Sequence, residues 1–311
     1  MQNRAVTERD RSELQLQFDL GIALLATKGW YVADLGNDYK RAHELCRGTG
    51  DDRRLFHVAF GLWSFHLVRS EHPKGRQYAD EMVRLASQLH DAGLMVQAKW
   101  GIGCTQFFMG EFRAARASLE EVVRCYEPQG HRNLAFQFGQ DPCVSSLCFS
   151  AMTLWMLGYP DHAEANARDA LPLARELGYP FTLTWCLTML VKYYTMRHDY
   201  PSAATVIAEG LRLARAHGFA FFEIGVRACQ VIGMAAQGEV DTLLSGSGGL
   251  SKITNAGYEL AQTWARSALA ERLETQAGLR SRSRCCPDAL NSWAATRNIT
   301  SSQRFIASRA N

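Results

Sequence analysis

The chain is poor in the signatures that mark an enzyme. None of its nine Cys form a C-x-x-C pair, and their number is odd. That pattern excludes the usual zinc sites and gives no disulfide framework. Several of these Cys sit in apolar helical runs, as buried thiols do, so the chain reads as a protein of the reducing cytoplasm with no metal site and no cofactor. The nine His are scattered, with no H-x-x-x-H pair and no H-E-x-x-H. They read as surface or helix-capping residues. No G-x-S-x-G nucleophile elbow occurs. The stretch "GSGGLSK" (246–252) glances at a phosphate loop but lacks its G-x-x-x-x-G-K-[ST] spacing and follows no strand. It reads as a weak helix, since each interior Gly costs about 1 kcal/mol against Ala. No catalytic residue is assigned, and the expectation is a protein that is not an enzyme.

Excess charge is also missing. The net charge of the 311 residues is +3. Seven Arg and three acids lie from Glu271 onward, a net of +4, which leaves −1 for the first 270 residues. The body therefore has no basic face, and nucleic acid is not an expected partner. Long apolar runs are scarce too. Pro142 to Pro160 carries no charge, but it contains Ser145, Ser146, Ser150 and Thr153 and stops at "GYPD". It reads as a buried helix rather than a membrane span. The start "MQNRAVTERDRSELQ" is too polar for a signal peptide.

What the sequence does contain is repetition. "DHAEANARDALPLARELGYPF" (161–181) aligns with "PSAATVIAEGLRLARAHGFAF" (201–221) at an offset of 40. Identities fall at Ala163/Ala203, Leu171/Leu211, Leu173/Leu213, Ala174/Ala214, Arg175/Arg215, Gly178/Gly218 and Phe181/Phe221. Each unit holds a mostly apolar stretch, such as "FTLTWCLTMLVKYYTM" (181–196), followed by an amphipathic Ala/Leu/Arg-rich one. In the second, Ala203, Ile207, Leu211 and Ala214 share one helical face. Gly218 suits a left-handed helix stop, and Pro201 suits a helix start. No alternating strand pattern persists. The fold expected is all-α: a tetratricopeptide-like α-α superhelix, a right-handed solenoid of antiparallel helix pairs repeating every 37–40 residues or so.

Helices are expected near 11–28, 37–47, 52–69, 74–89, 92–109, 111–126, 142–157, 161–177, 181–197, 202–217, 220–236, 239–256 and 258–275. The domain plan is a disordered start (1–10), the repeat array (11–277), and an Arg/Ser-rich disordered tail (278–311). Cys285 and Cys286 lie in that tail, with no role assigned. Residues 127–140 form a long connector, with Phe136 and Phe138 expected to tuck inward. "FGQDPCVSSLCF" (138–149) looks like a site, but Asp141 followed by Pro142 is an N-cap followed by an N1 proline. It reads as the start of a buried helix.

Candidate binding residues are the polar ones on apolar first helices and on the connector. His131, Arg132 and Gln140 come from the connector, with His131 and Arg132 offering positive charge to an anionic ligand. Lys192, Glu223 and Arg227 come from first helices; Glu223 and Arg227 are also spaced to pair with each other. Of the aromatics on first helices (Trp63, Trp100, Trp155, Trp185, Tyr193, Tyr194), most should be core and a minority should line a concave groove. The expected partner is a protein or peptide, or a small ligand held in that groove.

"HRNLAFQFGQDPCVSSLCFSAMTLWMLGYPDHAEANARDALPLARELGYPFTLTW" (131–185), with "LATKGW", "GLWSFHLVRSE" and "FFMGEFRAARASLEE", resembles the tetratricopeptide-like C-terminal region of bacterial signalling proteins. In these, a signal-transducing (STAND) ATPase module and a class III adenylate/guanylate cyclase or DNA-binding domain accompany the repeats. The resemblance spans about residues 12–275. It implies a non-catalytic sensor or scaffold arm that regulates an output domain. No cyclase metal carboxylates and no phosphate loop lie in this chain, so it reads as the arm, detached from the catalytic parts that its relatives carry.

Overall fold

The computed structural model describes residues 33–236, and every regular element among them is helical. α1 (Ala33–Thr49) precedes the pair α2 (Asp52–Val68) and α3 (His72–Leu89). The pair α4 (Ala92–Phe108) and α5 (Phe112–Cys125) follows. Two short helices, α6 (Pro128–His131) and α7 (Leu134–Phe138), then occupy the connector. After them come α8 (Pro142–Met156) with α9 (Pro160–Leu177), α10 (Pro180–Met196) with α11 (Tyr200–Ala216), and α12 (Ala220–Ala236). The expected boundaries agree with these to within about one turn. The helices expected over 11–28, 239–256 and 258–275, the glycine-rich stretch and the tail lie outside the described residues.

Local chemistry explains where the helices start and stop. Asp51, Asp91 and Asp199 each cap a helix, their carboxylates accepting the backbone N–H of Arg54, Leu94 and Ser202. Pro180 and Pro201 lie in first turns, where a missing N–H is harmless. Gly178 and Gly218, the glycines 40 residues apart, have φ of +73° and +69°. A Cβ there would be strained, so these two positions end α9 and α11 sharply.

The two helix types pack differently. On α9 the buried residues are Ala163, Ala167, Ala170, Ala174 and Leu177, a narrow stripe of small side chains. Leu171 and Leu173 pack half-buried beside this stripe, and most of the other α9 residues face solvent. On α8, every residue from Pro142 to Leu154 is buried. The contacts explain the contrast: α8 touches α4, α5, α9 and α10, so it is enclosed on all sides. α4, α8, α10 and α12 touch in succession and form an inner layer, and each second helix packs against the first helices on either side of it. One pair alone could not bury an all-round apolar helix; the stack does.

Glycines set two of the close approaches. A Cβ on Gly61 would lie 2.6 Å from the Tyr39 ring, whereas a Cβ on Gly210 would meet Leu187 and Val226 at 3.6 Å. Gly210→Ala should therefore stabilise the chain by up to about 1 kcal/mol through helix propensity. Gly61→Ala should destabilise it by about 1 kcal/mol, because overpacking against a rigid ring exceeds that gain. Urea unfolding midpoints of the two variants, moving in opposite directions, would check the packing.

The connector is structured. Phe138 points inward as expected, stacking on His57 at 4.8 Å and meeting Phe60 edge-on at 4.9 Å. Phe136 does not: it is 80% exposed and touches Tyr179 edge-on. The reason is helical phase. α7 is a single short turn, and positions 136 and 138 are not on one face of a helix.

Candidate functional site

The inner layer curls far enough that helices four repeats apart border one narrow cleft. α2 brings Trp63 and Ser64 to it, and α4 brings Trp100 and Phe108. From the far side come Trp185, Met189 and Lys192 of α10 and Phe221 of α12, with Phe149 of α8 at the back. As it stands the cleft has room for about 30 Å³, the size of one water molecule.

Its walls are fixed by interlocking aromatics. Trp63 and Trp100 meet edge-on at 4.9 Å. The Trp63 indole N–H donates to Thr105 Oγ1 at 2.8 Å, and that hydroxyl donates to the Gly101 carbonyl, also at 2.8 Å. Trp63 is thus satisfied inside the protein. Trp100 is not: 1% exposed, its Nε1 meets no hydrogen-bond partner among the described residues. The Ser64 hydroxyl, 3% exposed, is unpartnered in the same way. Each such orphan costs about 1–3 kcal/mol, which makes two of them on one cleft a feature to be explained.

Lys192 is the charged residue of the lining, 6% exposed, with its ammonium 3.9 Å from the Met189 sulfur. Its charge is felt on both sides of the cleft, by Cys104 on α4 and Cys229 on α12. Burial dominates there, however. It raises the Cys104 thiol well above its usual range and the Cys229 thiol to about 11. Both are inert buried thiols rather than nucleophiles.

The other sequence-selected residues lie elsewhere. His131 is buried, and its Nδ1 accepts the Glu127 backbone N–H at 3.0 Å, which ties the ring to the connector's own backbone. Arg132 is exposed and donates to the Glu176 carbonyl at 3.2 Å. Gln140 is wholly buried beside the start of α8, and neither of its amide atoms has a hydrogen-bond partner among the described residues. Glu223 and Arg227 pair with each other at 2.8 Å, and Arg215 joins the same carboxylate at 3.1 Å. That is the bland alternative the i, i+4 spacing offered. Of the six, Lys192 is the one in the cleft lining.

Among the aromatics, Trp63, Trp100 and Trp185 reach the cleft. Tyr193 is core, and Trp155 lies under the Arg197 guanidinium, itself ion-paired with Glu164. Ser64 was not singled out from sequence. A serine in an apolar helix gives no signal until its neighbours are known.

The connector shapes one end of this layer. His131 and Leu134 approach Gly93 at the start of α4, and Phe138 sits on Phe56, His57 and Phe60 of α2. The Phe181 ring at the start of α10 reaches Gly139. Residues 127–140 thus lie across the N-terminal halves of three inner helices. Among the described residues no group of three His, Cys, Asp or Glu could hold a metal ion, and no helix is long and apolar enough to cross a membrane.

No protein-family model and no curated protein matches this chain. Among solved structures, a Rap protein crystallised in complex with competence and sporulation factor is similar, with a TM-score of 0.70 at 14% sequence identity. The match covers 95% of this chain and 76% of that one. At that identity the likeness speaks for the fold, a tetratricopeptide-like helical repeat, as the sequence period implied.

Proposed function

We propose that this protein is a non-catalytic recognition module whose inner helix layer binds an extended protein or peptide segment, or a small ligand. The observation that carries the reading is the cleft itself. Five inner helices converge on one apolar recess lined by three tryptophans and the buried Lys192. The Rap protein, which shares the fold, was crystallised with a factor bound, and that supports a binding role without naming the ligand. The sequence resemblance to signalling ATPases and cyclases supports the finer reading, an arm that regulates an output domain. Such regulation requires a ligand that prefers one arrangement of the stack.

Screening the pure protein against displayed random peptides, followed by amide hydrogen exchange with the best binder, tests this. Protection should concentrate on α4, α8 and α10. Protection confined to the solvent faces of α3, α5 and α9 would overturn the assignment to the inner layer.

A further inference from the structure

Two thiols meet inside the inner layer. Cys148 lies midway along α8 and Cys186 in the first half of α10, and these helices are neighbours. Their sulfurs are 3.8 Å apart. Both thiols are free and buried. The hydrogen bond between them, with burial, holds the Cys186 thiol well above its usual range. Arg175 of α9 and Glu209 of α11 act on Cys186 in opposite senses and pair with each other at 2.8 Å. Neither sulfur is a ready nucleophile, so any reaction here is slow. A disulfide sets its sulfurs about 2 Å apart, which leaves the pair about 2 Å to close. The cleft gives a small oxidant its way in. Phe149 and Trp185, the chain neighbours of the two cysteines, line it, and so does Met189, one turn on from Cys186. Room on the scale of one water suits hydrogen peroxide, which is little larger, and shuts out glutathione disulfide.

We propose that Cys148 and Cys186 are a peroxide-sensitive staple, whose oxidation ties α8 to α10 and fixes the curl of the inner layer. Peroxide takes one sulfur to a sulfenic acid: an S–O bond forms, the O–O bond breaks, and water leaves. The second sulfur then attacks the first. The S–S bond forms, the S–O bond breaks, and a second water carries off the remaining proton. Two thiols and one peroxide give one disulfide and two waters. The bond joins positions 38 residues apart and takes freedom mainly from the opened chain, so the linked stack opens more rarely. The staple sets the state of the layer, whatever the layer binds.

The full chain is treated with hydrogen peroxide, remaining thiols are blocked with a maleimide, and the digest is read by tandem mass spectrometry. A peptide pair joined through Cys148 and Cys186 is expected. It should form about tenfold or more slowly than the exposed Cys125 reacts. Maleimide labelling of Cys104 and Cys229, buried on α4 and α12, then reports how often the layer opens. That labelling should slow about tenfold or more in the oxidised protein. Cys186→Ala should abolish both the link and the slowing, and Cys148→Ala stands in should that variant not fold. Cys148 and Cys186 recovered unlinked, after about a hundredfold the exposure that consumes Cys125, overturn the proposal. A link from Cys143 to Cys186 instead, or a Cys148–Cys186 link that leaves the labelling unchanged, overturns it too.

Discussion

Asp141→Ala should cost about 3–5 kcal/mol of stability, well above the 0.5–2 kcal/mol of an exposed helix cap. The carboxylate is fully buried at the start of α8. One oxygen accepts the backbone N–H groups of Cys143 and Val144 at 2.9 and 3.0 Å. The other accepts the Tyr126 hydroxyl at 2.5 Å. The Asp141 backbone N–H donates to Thr182 Oγ1 at 3.3 Å, which ties the same residue to α10. Alanine would leave three buried donors without an acceptor at the point where connector, α8 and α10 meet. Asp141→Asn keeps one carbonyl oxygen and should lose less than half as much. Tyr126→Phe should lose about 1–2 kcal/mol, and a double-mutant cycle should show the two strongly coupled. Chemical denaturation of the four proteins supplies the numbers. Additive losses would mean that the short hydrogen bond contributes little.

Acidification from pH 6.5 toward 4 should destabilise the protein, with His72 contributing on the order of 2 kcal/mol. Burial against Phe108, on which the ring stacks at 5.5 Å, lowers the His72 pKa to about 4. Its Nδ1 has no hydrogen-bond partner among the described residues. The unfolded chain takes up a proton near pH 6.5 that the folded chain refuses until about pH 4, so stability is lost across that window. The figure is below what the full shift would give because the ring is partly exposed. Burial lowers the His57 and His66 pKa values as well, in the same sense. Glu71, held at about 2 chiefly by the Lys74 ammonium, loses its contribution later, between about pH 4.5 and 2. Asp141 works in the opposite direction. Burial raises its pKa despite its hydrogen bonds, so its contribution grows as pH falls toward the usual carboxylate value. His72→Phe should keep the stacking and flatten the profile between pH 6.5 and 4. A slope in that interval identical to wild type would show that the loss originates elsewhere.

Much of the architecture was legible in the chain. The 40-residue offset placed Gly178 and Gly218 at equivalent helix ends, and both take positive φ. Asp141-Pro142 was readable as a cap, because capping is chemistry among adjacent residues. Ala203, Ile207, Leu211 and Ala214 were placed on one face by a period of 3.6, and the structure gives all four a buried or half-buried position. The connector was less legible. Phe136 and Phe138 look alike in sequence, yet one is exposed and the other lies in the core. Their difference is one of helical phase: the α7 turn aims Phe138, and not Phe136, at Phe56, His57 and Phe60 of α2.

The candidate site was hardest to read, for the same reason. Lys192 stood out because a cation in an apolar helix is unusual. Trp63, Trp100 and Trp185 stood out by size, but whether an indole is core or wall is not a property of its own helix. Ser64 had no mark at all. Caps, helix ends and apolar stripes follow from contacts a few residues long, so the sequence determined them unaided. The cleft depends on how tightly five inner helices curl, which brings residue 63 to the same recess as residue 221. That curvature arises from many small contacts between repeats, so the tertiary structure alone decided which residues line the cleft.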